Sequence, residues 1–146
     1  MPFFRQELAI DLGTANTVIL HDNKVVVDEP SIIAIDSRTK SVVSVGKKAL
    51  MMEGKTSGEI YTVRPLRNGV IADFQPTELM LREFIKMTNT KHSLITPAMK
   101  MVICIPSGST EVEERAVRES AEQAGAKEVR LIYEPMAAAI GSGIDD

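Results

Sequence analysis

Apolar and polar residues alternate over Leu8, Ile10 and Leu12, and again at Val18 and Leu20, with small and polar residues between them. That period of two reads as strand, tight turn, strand. After a polar turn from His21 to Lys24, Val25-Val26-Val27 reads as a third strand, ended by Asp28-Glu29-Pro30. Turns this short imply an antiparallel meander, because tight loops cannot join parallel neighbours. Residues 31 to 73 have a finer texture. Ile32 to Ile35 and Val42 to Val45 flank a polar turn from Asp36 to Lys40, and a short helical piece runs from Lys47 to Met52. The extended Ile60 to Val63 follows, then a turn at Arg67-Asn68-Gly69 before Val70-Ile71. These short elements predict a small lobe with a modest core of its own.

Helical periodicity returns at Pro76, where proline suits a first turn, and Leu79, Met80, Phe84 and Met87 form the apolar stripe. Asn89 to Pro97 reads as a loop. Met101 to Ile105 is the continuous apolar run of a strand buried on both faces, and Pro106 to Ser109 is a turn. Thr110 and Glu113 then have capping-box spacing, and Gly125 stands where a C′ residue belongs. Glu111 with Arg115, and Glu114 with Arg118, are spaced as i,i+4 ion pairs. A last strand, Val129 to Tyr133, leads through Glu134-Pro135 into a small-residue helix from Met136 to Gly141. The order β-β-β-α-β-α-β-α predicts an α/β fold: a mixed five-stranded sheet with a small α+β lobe inserted after the third strand. Residues 1–30 and 74–146 form the larger lobe in this reading, and residues 31–73 the insert.

Composition narrows the function classes. A length of 146 residues can bury a proper core, and 44% hydrophobic with 25% charged content is ordinary for a globular protein. The formal charge of −3, with no basic run, argues against general nucleic-acid binding. One cysteine, Cys104, lies within an apolar strand and has no partner for an internal disulfide, which favours a cytoplasmic setting. No run of 18 apolar residues suggests a membrane-spanning helix, and the stretch Met1 to Gln6 is too short for a signal peptide, although it carries Phe3 and Phe4. Two distant histidines give no metal-ligand spacing.

Four stretches carry candidate chemistry. Between the first two strands, Gly13 permits a positive φ and a close backbone approach, and Thr14, Asn16 and Thr17 add donors. This suits a phosphate-holding turn with Asp11 beside it as a cation ligand, and it suits equally a hairpin whose turn is merely polar. Glu134 ends a strand at the edge where α/β sites assemble, yet it also fits a glutamate satisfying helix-terminal amides. Leu94-Ile95 interrupt a polar loop, as an exposed apolar tip or as one folded back onto the domain. Gly54-Lys55-Thr56 imitates the end of a P-loop, but Ala49 stands where that motif needs glycine, and a helix precedes it. It reads as a solvated loop or a contact surface. Ser107 and Ser109 lack the frame of a hydrolase nucleophile.

Ile10 to Thr17 resembles the first phosphate loop of the actin, Hsp70 and sugar-kinase superfamily. Asp28 to Ser31, Arg64 to Leu66 with Gly69 to Phe74, Ile105 to Thr110, and Glu134 to Gly141 narrow the match. In order, the five stretches closely resemble the MreB family of bacterial actins. The resemblance implies an actin-like, ribonuclease H-like fold. It further implies an ATP-dependent cytoskeletal protein that forms filaments on the inner face of the cytoplasmic membrane, maintains rod shape and guides the cell-wall elongation machinery. Gly13, Thr14, Ala15 and Asn16 would cradle the β- and γ-phosphates, Asp11 would hold Mg²⁺ through water, and Glu134 would orient the attacking water. Leu94 and Ile95 fall where the family carries a membrane-inserting loop. Two aliphatic side chains contribute ~3–6 kcal/mol at most, so stable attachment would need many tips along a filament.

Family chains are about twice this long, and their second phosphate loop and adenosine-binding residues lie beyond the position of Asp146. The chain is therefore expected to be the N-terminal half, inactive as an ATPase by itself. The rival readings are another superfamily ATPase (a sugar kinase or a chaperone) and a non-catalytic interaction module.

Overall fold

The computed structural model describes residues 6–55, 58–88, 99–105 and 109–133. Its elements are β1 (Gln6–Leu12), β2 (Asn16–His21), β3 (Lys24–Pro30), β4 (Ile33–Asp36), β5 (Val42–Val45), α1 (Lys47–Met52), β6 (Ile60–Val63), β7 (Leu66–Arg67), β8 (Val70–Ile71), α2 (Phe74–Met87), β9 (Met99–Ile105), α3 (Glu111–Gln123) and β10 (Glu128–Tyr133). The main sheet runs β10-β9-β1-β2-β3. Its first three strands form the expected antiparallel meander, and β9 lies parallel to both β1 and β10. The carboxyl ends of β1, β9 and β10 therefore share one edge, with Asp11 beside Cys104 and Ile105 beside Tyr133.

Leu8, Ile10 and Leu12 of β1 and Met99, Met101, Ile103 and Ile105 of β9 share a single core with α2 (Met80, Leu81, Phe84) and α3 (Val117, Ala121). The alternate residues of β9 are only half-buried, so its two faces are not equally covered as the apolar run implied. Strand β3 continues through Asp28 to Pro30 instead of stopping before them, because Asn16, Thr17 and Val18 of β2 pair with those residues. Helix α2 begins two residues before Pro76, with Asp73 as N-cap. Pro76 still falls in the first turn, where a missing N–H breaks no intrahelical bond.

Helix α3 has the boundaries its sequence predicts. Thr110 Oγ1 accepts from Glu113 N at 3.1 Å, and Glu113 Oε1 accepts from Thr110 N at 2.8 Å. At the other end Gly125 sits at φ 119, with Gly125 N bonded to Glu122 O and Ala126 N to Ala121 O, a Schellman stop. Neither i,i+4 ion pair forms. Arg118 donates instead to Val129 O at 2.9 Å, and Glu114 accepts from Tyr133 at 3.2 Å, so contacts with β10 outcompete the local pairs.

The insert carries a three-stranded sheet, β5-β4-β6, with α1 beside it, and the β7–β8 hairpin leads back to α2. Its core is not fully its own. Ile33 and Ile35 of β4 join the main core, whereas Ile32 and Ala34 pack with Ala49 in a small separate cluster. Helix α1 has no side-chain cap within its own sequence. Glu29 of β3 supplies one, its Oε1 accepting from Lys47 N at 2.8 Å. Gly46 allows this contact: it sits at φ 65, and a Cβ there would fall on Glu29 Oε1.

Candidate functional site

The turn between β1 and β2 closes through Gly13 N donating to Asn16 O at 3.1 Å. A Cβ on residue 13 would lie 2.6 Å from that same oxygen. Glycine is thus required for the close backbone approach expected of it, while the positive φ it also permits is not adopted. Thr14, Ala15 and Asn16 are exposed. Among the described residues, neither the Thr14 nor the Ala15 amide donates to an oxygen. Thr14 Oγ1 accepts from Gly69 N at 2.6 Å, which leaves the hydroxyl proton for an outside acceptor. Asn16 Nδ2 reaches Asp28 Oδ1 at 3.4 Å.

Behind the turn stands a pair of fully buried hydroxyls: Thr17, expected as a donor to a phosphate, faces the core instead, beside Ser31, to which sequence reasoning gave no role. Ser31 N donates to Ala15 O at 2.8 Å, and Ser31 Oγ donates to Gly13 O at 2.7 Å. Ser31 Oγ also lies 2.8 Å from Thr17 Oγ1. Because the Ser31 proton is engaged on a carbonyl, Thr17 must be the donor in that bond. The relay Thr17→Ser31→Gly13 fixes the turn from its core side. The signal was topological: a meander pairing Asn16 with Pro30 places Ser31 opposite Ala15.

Asp11 is exposed at the end of β1, with Val18 and Cys104 as strand neighbours. Its carboxylate has no ion-pair or hydrogen-bond partner among the described residues. No group of three His, Cys, Asp or Glu among the described residues is arranged to hold a metal. A single exposed carboxylate with no partner among the described residues has the chemistry Mg²⁺ accepts, since that ion retains waters and takes phosphate oxygens as its other ligands. Glu134 directly follows β10 in sequence, but it lies outside the described residues, as do Leu94, Ile95, Phe3, Phe4 and the Met136 to Gly141 segment. Tyr133 donates to Glu114 Oε2, and that carboxylate raises the phenol pKa above its ordinary value. Gly54 and Lys55 follow α1 rather than a strand, which removes the P-loop frame.

An open cleft of about 660 Å³ lies beside the turn, lined by Thr14 and by residues of the insert, Arg64, Leu66, Arg67, Asn68 and Asp73 among them. A sheet of this order, with a glycine-closed turn at the carboxyl edge and an insert poised over it, is the actin-like arrangement expected above. The family model for MreB/Mbl protein matches residues 5–145. The chain belongs to the MreB/Mbl family. It is 50% identical to the cell shape-determining protein MreB of Escherichia coli (strain K12), over 97% of this chain and 42% of that protein. It is 46% identical to the cell shape-determining protein Mbl of Bacillus subtilis (strain 168), again over 97% of this chain and 42% of the relative. Spiroplasma citri MreB5 bound to ADP superposes with a TM-score of 0.82 at 35% identity, covering 99% of this chain and 43% of that one. The MamK double helical filament shares the fold at 18% identity, with a TM-score of 0.80 over 97% of this chain and 44% of that one. The chain thus spans less than half the length of the MreB/Mbl relatives it matches.

Proposed function

We propose that this chain is the first jaw of the ATP clamp in a bacterial actin-like cell-shape protein. The observation that carries the reading is the turn itself: two exposed, unengaged amides at Thr14 and Ala15, on a loop locked from behind by Ser31 and Thr17. Such a nest of N–H groups suits phosphate oxygens. MreB5 of Spiroplasma citri, solved bound to ADP and to AMPPNP, supports it. In this reading the Gly13 to Asn16 turn and the Thr14 hydroxyl hold the β- and γ-phosphates, Asp11 holds Mg²⁺ through water, and Glu134 orients the attacking water. When bound, Mg·ATP supplies a phosphoryl group whose hydrolysis can be coupled to assembly. Residues 1–30 and 74–146 act as the larger lobe and 31–73 as the smaller, and a second actin-like domain supplies the opposing jaw.

By the same family logic the protein self-associates into filaments. They lie on the inner face of the cytoplasmic membrane through Leu94 and Ile95, and they engage cell-wall elongation proteins. No described helix is long and apolar enough to cross a membrane. Titrating the full-length protein with a fluorescent ATP analogue tests the nucleotide reading. Micromolar, Mg²⁺-dependent binding weakened by Asp11→Ala is expected, and absence of binding would favour an interaction module. Liposome co-sedimentation of the filament-forming protein carrying Leu94→Ser and Ile95→Ser tests the membrane contact, and unchanged pelleting would count against it. Residues 1–146 by themselves should show no steady ATP turnover; turnover abolished by Glu134→Ala would overturn the division into two jaws.

A further inference from the structure

The phosphate turn has a charge problem. Asp11 to Thr17 contains no lysine or arginine, and its one ionisable side chain is an acid. A nucleoside triphosphate brings several negative charges, which backbone amides and one magnesium neutralise only in part. The insert beside the turn offers cations that can supply the missing charge. Of the residues lining the cleft that contains Thr14, two are cationic, Arg64 and Arg67. Arg64 is committed: its Nε donates to Glu53 Oε2 at 3.3 Å and its Nη2 to Glu53 Oε1 at 3.2 Å, a forked pair across the cleft wall. Arg67 is exposed and pairs with no carboxylate among the described residues, including Asp73, the other acid of the cleft.

Its placement is fixed by three features. Arg67 ends β7 of a hairpin in register with β8, Leu66 opposite Ile71 and Arg67 opposite Val70. The two-residue turn, Asn68 at φ 55 and Gly69 at φ 81, is the type I′ geometry that holds such hairpins stiff. Gly69 N, two residues beyond Arg67, donates to Thr14 Oγ1 at 2.6 Å across 55 residues of sequence. The hairpin that carries Arg67 is thereby pinned beside the loop, and Arg67 and Thr14 line one open cleft.

We propose that Arg67 reads the terminal phosphate of a nucleoside triphosphate held by the Gly13 to Asn16 turn. It acts as a positioning and specificity residue contributed by the insert. This rests on the nucleotide reading above. A diphosphate leaves the added charge out of reach of Arg67, so the residue confers preference for ATP over ADP and contributes little to affinity for both alike. The contact also ties the insert to the larger lobe more tightly when triphosphate is present.

The test is the ratio of ATP-analogue to ADP affinity in the full-length protein, measured by titration with Mg·AMPPNP and Mg·ADP, alongside melting temperature without nucleotide. Arg67→Gln is expected to lower that ratio about tenfold, the scale of one charge-assisted contact, while leaving ADP affinity and the ligand-free melting temperature unchanged. Arg67→Lys, which keeps the charge, should recover most of the ratio. Equal loss of both affinities, or an unchanged ratio in Arg67→Gln, would overturn the assignment. Failure of the wild-type protein to bind either nucleotide would instead overturn the nucleotide reading itself.

Discussion

Replacing Ser31 with alanine removes one hydroxyl but strands two partners. The Thr17 Oγ1 proton loses its acceptor in a fully buried site, and Gly13 O loses its donor. A buried group left unsatisfied costs about 1–3 kcal/mol. Gly13 is partly exposed, so water can reach its carbonyl and most of the penalty falls on Thr17. The expected loss is ~2–3 kcal/mol for Ser31→Ala, or roughly 5–10 °C in melting temperature for a chain of this size. Thr17→Val is predicted to be milder, at about 1 kcal/mol or less, because Ser31 can still donate to Gly13 O. The double variant removes the stranded proton and should lose less than the sum of the two, with a coupling of ~1–2 kcal/mol. Urea unfolding followed by circular dichroism on all four proteins completes the cycle. Additive effects, or Thr17→Val costing as much as Ser31→Ala, would refute the assigned direction of the relay.

Three further outcomes follow from local geometry. Gly46→Ala forces a left-handed conformation on a residue with a side chain and displaces Glu29 from the α1 amide, for a loss of ~2–3 kcal/mol by urea titration. In a Glu29→Ala background the penalty should fall to roughly 1–2 kcal/mol, because the cap is already gone. Ser120 Oγ is buried with no hydrogen-bond partner among the described residues, so Ser120→Ala should stabilise the fold by ~1 kcal/mol, read as a raised melting temperature. Asp36 accepts from Thr39 N and Arg38 N, and these bonds hold its carboxyl below the ordinary value. A depressed folded-state pKa contributes stability that is complete above the unfolded value near ~3.9 and is lost as pH falls through the folded one. Stability curves of wild type and Asp36→Asn should therefore converge as pH drops below about 4, and a constant gap would contradict the assignment.

What could be read from sequence was what neighbouring residues decide. The α3 boundaries follow from Thr110, Glu113 and Gly125, which act on the helix they border, and α1 spans the residues its pattern indicated. The misreadings share a cause in partners distant along the chain. Arg118 and Glu114 abandon their helical pairs for β10, and Glu29 caps a helix 18 residues away. At the candidate site, Gly13 was singled out for a positive φ and a close backbone approach, and only the second holds. Its need is steric, set by where Asn16 O returns, which only the closed turn reveals. Ser31 belongs to a stretch that marked the family resemblance, yet its role needed the β2–β3 register. The cleft joining Thr14 to Arg67 depends on a contact across 55 residues and leaves no local trace.

Amide chemical shifts offer the most direct test of the phosphate turn. In a ¹H–¹⁵N correlation spectrum of the full-length protein, adding Mg·AMPPNP should move the Thr14 and Ala15 amides strongly downfield, as hydrogen bonding to phosphate oxygens requires. Gly13, whose N–H is already bonded to Asn16 O, should move less. Nucleotide that binds without shifting Thr14 and Ala15 would place the phosphates elsewhere and contradict the assignment of this turn.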